Sequence, residues 1–398
     1  MLTIWRLAPR EIKVLYTAYL FINLGFYAFI PYLTLYLTGS FAWSMALAGV
    51  LLGVRQFSQQ GVTFIGGIVA DRLGCKPALI LGLLVRSIGF ASFAFCSETW
   101  HFFISAILSG LGGALFEPSY QAAFVKLAPQ EYRKPLFSFK NLIVNVAMIA
   151  STFLGSLLIS IDFVYLSLIT GSIYLAIAFA IYLLLPNLQV ETSQHSVLQD
   201  MGKILRDGPF VFYTVVLIGY FYLYMQLYLT IPIKAQALTG QEISVAYVYA
   251  TLAVTVIIGQ LPMIRYLERF PNRFPLIGAG AVFMGIGLLG FGLSGNLLML
   301  CASAVLFALG TMIAAPLQLD VIPSFADSRL LASYYGFNGY SLAVGGALST
   351  SAGGWFYDLG ERLGLPLLPW LICLAVSLIV AVCLYFFKDA RADTSGTS

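Results

Sequence analysis

Twelve long apolar runs, each closed by a short polar or glycine- and proline-containing stretch, set the rhythm of this chain. They predict helices over residues 14–38, 43–70, 78–96, 101–126, 136–160, 163–185, 210–236, 243–265, 275–294, 297–324, 330–356 and 367–387. A helix needs about 20 apolar residues to cross the hydrocarbon of a bilayer. Only helices and closed barrels satisfy the backbone there, and barrel strands are alternating segments of about ten residues. The runs here are longer and continuous, so they read as helices. The expected fold class is an all-α membrane protein with twelve transmembrane helices. The longest polar stretch, Asn187 to Gly208, splits it into a first six-helix unit (1–186), a linker (187–208) and a second six-helix unit (209–398).

Composition and charge sharpen this picture. Hydrophobic residues make up 60% of the 398 and charged residues 10%, where soluble domains carry about 25% charged residues. Of the 21 Lys and Arg, sixteen fall on one side of the predicted membrane: Arg6, Arg10, Lys13, Arg72, Lys76, Lys126, Arg133, Lys134, Lys203, Arg206, Arg265, Arg269, Arg273, Arg329, Lys388 and Arg391. The other side holds Lys234 and Arg362, and Arg55, Arg86 and Lys140 lie inside spans. Basic loops face the cytoplasm, so both termini are expected there and the number of spans is even. The net charge of +4 belongs to these loops rather than to an anionic partner. The N-terminal run Val14 to Leu37 is too long for a signal sequence and lacks a small-residue cleavage site, so it reads as the first span. Cys75, Cys96, Cys301, Cys373 and Cys383 are scattered, and His101 and His195 sit at span edges or loops. Neither a disulfide framework nor a metal site is expected.

The two halves repeat. At a constant offset of 198 residues, Pro77 matches Pro275, Gly82 Gly280, Gly89 Gly287, Leu108 Leu306, Gly112 Gly310, Pro118 Pro316, Phe139 Phe337 and Gly155 Gly353. Glycine-rich apolar sequence aligns easily by chance, but eight matches at one offset and at equivalent helix positions point to parallel repeats.

Spans two and three are joined by Gly67-Ile-Val-Ala-Asp71-Arg72-Leu-Gly74-Cys75-Lys76. This resembles the loop motif of the major facilitator superfamily, in which a glycine, three residues, Asp-Arg, one residue, Gly and two basic residues follow span two. Cys75 stands where the first basic residue is usual. In that superfamily the acid braces the cytoplasmic start of helix eleven and stabilises the outward-facing state. The resemblance assigns that role to Asp71, with Gly67, Arg72, Gly74 and Lys76 completing the motif and Ser328-Arg329 beginning span eleven. The loop from Arg265 to Pro275 is similar to a degraded second copy, with Glu268, Arg269 and Arg273. Further similarity runs through Gly53-Val-Arg55-Gln56-Phe-Ser-Gln59-Gln60-Gly61, Ser109 to Pro118 and Gly353 to Gly360. These stretches resemble the MdtH-type branch of the bacterial drug:proton antiporters, over the whole chain. The resemblance implies two pseudo-symmetric six-helix bundles around a central cavity, alternating access, and a bacterial inner membrane. Two positions depart from the drug exporters' pattern: Ala106 replaces an arginine of helix four, and the Asn145 to Gly155 segment of helix five has no proline.

Ionisable groups inside a span cost at least about 2.5–3.5 kcal/mol at its centre and are functional candidates by default. Glu117, beside Pro118 in span four, is the candidate proton carrier, since burial keeps a carboxyl protonated closer to neutral pH. Its structural alternative is a carboxylate permanently paired with Arg or Lys. Asp320 in span ten is the second acid, with a solvated helix end as its alternative. Arg55 with Gln59 forms a polar face in span two, suited to an anionic substrate group or to an acid partner. Arg86 in span three reads as structural, because third helices in this architecture lie at the periphery. Lys140, Asn141 and Asn145 make a polar stripe in span five, lining a cavity or snorkelling to the interface. Tyr220 and Tyr224 share a face of span seven and suit an aromatic wall for amphipathic or cationic compounds. Packing or an interfacial belt is the alternative for any one of them. Asn23 and Tyr27 in span one, and Asn338 in span eleven, complete the expected cavity.

Two G-x-G-x-x-G strings in span nine follow no strand and read as helix-packing glycines, not as a nucleotide site. No Walker loop, nucleophile–base pair or metal cluster is visible, so no cofactor and no catalytic residue are expected. The expected function is proton-coupled export of hydrophobic or amphipathic organic compounds. The alternative is a narrow transporter of an anionic metabolite, siderophore or lipid, and a membrane enzyme or scramblase is a distant third. Partners would be a small-molecule substrate, protons and the bilayer, without nucleic acid. With no coiled coil or soluble oligomerisation domain, a monomer is expected.

Overall fold

The computed structural model describes residues 8–129, 133–187, 202–326 and 330–387, with Phe64, Asp71, residues 133–135, Phe137, Ser138, Asn141 and Ala332 described as backbone only. Residues 188–201 of the predicted linker, the Ser328-Arg329 start of span eleven, and Arg6, Lys388 and Arg391 lie outside that description.

A helix meets every predicted span. Span one is Arg10–Ser40, span three Cys75–Ser92, span four Thr99–Leu127, span five Arg133–Ile161 and span six Phe163–Leu184. Span eight is Ile243–Leu267, span nine Phe274–Leu293, span ten Leu297–Asp320, span eleven Leu331–Arg362 and span twelve Leu368–Tyr385. Two spans expected as single helices are broken. Span two is Met45–Gln60 followed by Thr63–Leu73, and span seven is Gly208–Met225, a tight turn Gln226–Tyr228, then Thr230–Thr239. Among the described residues ten helices are long and apolar enough to cross a membrane on those criteria alone. The other two crossings are span two, which is split, and span eleven, whose 32 residues include many small and polar ones.

The outer surface fits a lipid solvent. Ile88, Phe179, Ile258, Leu298 and Ile379 each leave more than half of their surface exposed. In water such a belt would drive aggregation; in a bilayer it costs nothing.

The helix pairs in contact are the same in both halves. Spans three and four, three and six, one and five, one and six, and two and four pack together in the first half; nine and ten, nine and twelve, seven and eleven, seven and twelve, and eight and ten in the second. The repeat holds down to single glycines. Gly82 lies against the Gly112 backbone as Gly280 does against Gly310, and Gly155 faces Ala28 as Gly353 faces Gln226. Each of these pairs recurs at the offset of 198 read from the sequence.

The halves meet along two pseudo-symmetric seams, span two with span eleven and span five with span eight. The first seam is made of backbone. A Cβ on Gly49 would overlap the Thr350 carbonyl oxygen, one on Gly354 the Met45 carbonyl, and one on Gly53 would stand 2.6 Å from Ser351 Oγ. Asp358 closes this seam at its end: its two carboxylate oxygens accept from the backbone N–H of Met45 (3.0 Å) and Ala46 (2.8 Å). These are orphan donors at the start of span two, where a helix favours negative charge. The contact lies on the face opposite the two chain ends, here called the far face. Toward the terminal face the split in span two turns Thr63–Leu73 onto span four.

Candidate functional site

A cavity of about 480 Å³ lies between the halves, lined by spans one, five, seven, eight and ten. Tyr27, Asn145, Tyr224, Gln260, Thr311 and Gln318 supply its polar atoms, and Met148, Leu227, Leu252, Val256 and Phe307 most of its apolar wall. Among the described residues no charged side chain lines it. It reaches Ile264 and Leu319, near the terminal ends of spans eight and ten. Above it, Thr34 donates to the Tyr228 carbonyl at 3.1 Å and Tyr249 donates to the Leu227 carbonyl, tying the tight turn of span seven to spans one and eight. Phe153 of span five meets Tyr247 of span eight edge-on at 5.8 Å and closes the second seam toward the far face. The cavity is thus shut at the far face and runs toward the terminal one.

Polar charge is gathered beside this cavity, inside the first half. Lys140 is 5% exposed. Its Nζ lies 4.6 Å over the Tyr19 ring and 5.1 Å over the Tyr120 ring, which stack on each other at 4.7 Å. Glu117 lies one turn before Tyr120, half-buried, and accepts from Gln121 Nε2 at 3.0 Å. Lys140 is near enough to feel the Glu117 charge. Arg55 donates through Nη2 to Gln59 Oε1 at 2.8 Å, and Gln59 packs on Gly113 of span four.

The candidates read from the sequence divide accordingly. Tyr27, Asn145 and Tyr224 line the cavity. Tyr220 does not: it is 1% exposed and packed inside the second half, with the Phe221 ring at 5.1 Å. Asn23 donates to the Tyr19 carbonyl one turn back in its own helix at 2.7 Å. Lys140 neither lines the cavity nor snorkels outward, because its ammonium sits under two tyrosine rings. Asn338 is 4% exposed, in span eleven, with its side-chain oxygen unsatisfied. Asp320 lies at the end of span ten, its side chain 57% exposed and paired with Arg273 at 3.1 Å. That is a surface ion pair, not a buried acid. The side chains of Asp71 and Asn141 lie outside the described residues.

Within the loop motif, Gly74 has φ +90°, a conformation that L side chains rarely adopt, and it turns the chain from span two into span three. Lys76 lies 5.6 Å over the Tyr182 ring of span six. Gly67 meets no neighbouring group and Arg72 is exposed.

The sequence reading missed Gln260, Thr311 and Gln318. Two are glutamines isolated in apolar runs of spans eight and ten, and that isolation was the available signal. It also missed that Arg86 faces inward, 4% exposed, toward Arg55.

Comparison with known proteins bears on this arrangement. Residues 15–249 and 216–397 match the profile of the Major Facilitator Superfamily. The multidrug resistance protein MdtH of Klebsiella pneumoniae is 34% identical over 94% of this chain and 93% of its own. That of Citrobacter koseri is 36% identical over 88% and 87%. A POT family transporter, solved with a thioalcohol-conjugated peptide, superposes with TM-score 0.81 at 13% identity, covering 96% of this chain and 99% of that one. The nucleoside transporter NupG superposes with TM-score 0.80 at 12% identity, covering 96% and 100%.

Proposed function

The chain belongs to the Major Facilitator Superfamily, and from that membership we propose that it exports hydrophobic and amphipathic organic compounds, driven by inward proton flow. It is a small-molecule transporter of the membrane, not an enzyme. The relatives named for multidrug resistance support an export role over a narrow anionic substrate. The observation that carries the reading is the cavity itself: about 480 Å³, aromatic and aliphatic, with neutral hydrogen-bonding groups and, among the described residues, no charged lining. Such a wall accepts many apolar shapes and pays little penalty for any one of them.

The excess of basic residues supports placing the terminal face, and so both termini, in the cytoplasm of a bacterial inner membrane. The cavity then runs toward the cytoplasm and is sealed outside by the two seams. That is the loading state of an exporter. Rocking of the halves as rigid units would open the seams and release the substrate outward. Glu117 is the proton carrier in this reading, with Lys140 as the neighbour whose charge answers its ionisation. Asp320, exposed and paired, has no part in it. The protein works as a monomer, since one chain holds the whole cavity.

The test is uptake of a fluorescent lipophilic cation into inside-out vesicles with an imposed pH gradient. Uptake should follow the gradient and fall at least about tenfold in Glu117→Gln. Undiminished uptake in that variant would remove the carboxylate from coupling. Gradient-independent behaviour towards cationic and neutral dyes alike, with insertion verified, would remove the export reading.

A further inference from the structure

Arg55 and Arg86 are 3% and 4% exposed. They come from spans two and three, and their guanidinium carbons lie 5.0 Å and 5.7 Å from the centre of one ring, Phe26 of span one. Arg86 is further enclosed by Tyr174 at 5.1 Å and Phe90 at 5.8 Å, and it lies within reach of the Tyr174 hydroxyl. A guanidinium keeps its proton under all physiological conditions. Two positive charges are therefore held together in low dielectric. Among the described residues neither has a carboxylate partner, and the Nε of each lacks a hydrogen-bond partner. Gln59 satisfies one nitrogen of Arg55 and brings no charge. Contacts with ring faces recover only part of what it costs to bury an ion. A structural ion pair would supply an acid. Here the nearest acid on span four, Glu117, accepts from Gln121 and interacts with Lys140 instead.

We propose that Arg55 and Arg86 form a binding site for a compact monovalent anion, gated from the central cavity by Phe26. Planar guanidinium forks hold carboxylates through two parallel N–H donors, and the same N–H groups can donate to a halide. Phe26 touches the cavity side as well, with Tyr27 at 5.3 Å and Tyr228 at 5.8 Å, and Tyr27 lines the cavity. The occupant is thus either a small free anion or the carboxylate of a compound seated in the cavity. This inference rests on charge balance in the first half and not on the export reading, so a negative drug-uptake assay leaves it standing.

The experiment is thermal unfolding of the purified full chain, followed with a thiol-reactive dye. Bulky gluconate is replaced stepwise by chloride, acetate or 1-naphthoate at constant ionic strength. A site gives a saturable rise in midpoint for the wild type. Arg55→Gln and Arg86→Gln should each lose that rise. In gluconate alone Arg86→Gln should melt no lower than the wild type, because it removes an uncompensated buried charge. A response to chloride and acetate without one to naphthoate identifies a small free anion, and a response to naphthoate alone identifies a cavity compound. A wild-type midpoint indifferent to all three anions overturns the proposal. So does an Arg86→Gln protein that keeps the anion response or is destabilised equally in every salt. If the variants do not fold, the wild-type series decides by itself.

Discussion

The two halves of this protein share a scaffold and differ in what they do with it. The same helix pairs touch in each, and glycine contacts recur at the same offset. The chemistry does not recur. The first half holds Arg55, Arg86, Glu117 and Lys140 within its helices, and the positions 198 residues on are Ala253, Met284, Ala315 and Asn338. The second half offers rings and amides instead: Tyr220, Tyr224, Gln226, Tyr228, Gln260 and Gln318. Packing symmetry therefore constrains the small residues at helix crossings and leaves the buried charges free to diverge. One half keeps the buried charges, and the other becomes a neutral wall.

This contrast can be broken or sharpened by substitution. The largest effect should come from the shared scaffold. A Cβ on Gly112 would overlap the Arg86 backbone N and one on Gly310 would stand 2.6 Å from that of Met284, the equivalent position. Gly112→Leu and Gly310→Leu should each cost at least about 1–3 kcal/mol and lower the melting temperature by similar amounts. A large loss from one and none from the other would show that the scaffold symmetry is only apparent. Next comes the chemistry. Ala315→Glu, placed at the mirror position of Glu117, should not restore gradient-driven uptake to Glu117→Gln, because the second half has no cation at the position equivalent to Lys140. Restoration in the double variant would mean that the halves are interchangeable after all. A smaller effect is expected from the wall. Tyr224→Ala should shift the apparent KM for bulky dyes by about threefold to tenfold, the scale of a few lost contacts in an apolar pocket, while the pH dependence stays put. The smallest is Asp320→Asn. Exposed ion pairs contribute about 0–1 kcal/mol, so both melting and uptake should remain close to wild type.

The hydrophobic runs made all twelve crossings legible, because lipid forces length and composition on every helix. The glycine matches were legible for a related reason: a crossing that admits no Cβ writes itself directly into the sequence, as at Gly82 and Gly112. The breaks in spans two and seven were not: the polar run Ser58 to Gly61 beside the first looks the same in sequence as a polar helix face, and nothing in hydropathy marks the second. Those breaks matter to the site. The turn at Gln226–Tyr228 puts Leu227 in the cavity wall and the Tyr228 ring 6.4 Å from that of Tyr27. Arg86 was read as structural because its helix lies at the periphery, yet a peripheral helix still has an inner side. Asp320 misled because an acid near the end of an apolar run looks the same in sequence whether its carboxylate turns inward or out to Arg273.

The seam between spans two and eleven also bears on how such a protein changes over generations. Gly49 and Gly354 press backbone against backbone, and Gly53 admits the small Ser351 hydroxyl, so the fit at that seam depends chiefly on main-chain shape rather than on a lock of large matched side chains. The residues proposed to meet a cargo stand elsewhere, around the cavity. A lineage can thus rewrite Tyr224 or Gln260 to meet a new toxin without retuning the gate, provided that the three glycines stay. Selectivity and gating become separate heritable modules carried on one chain.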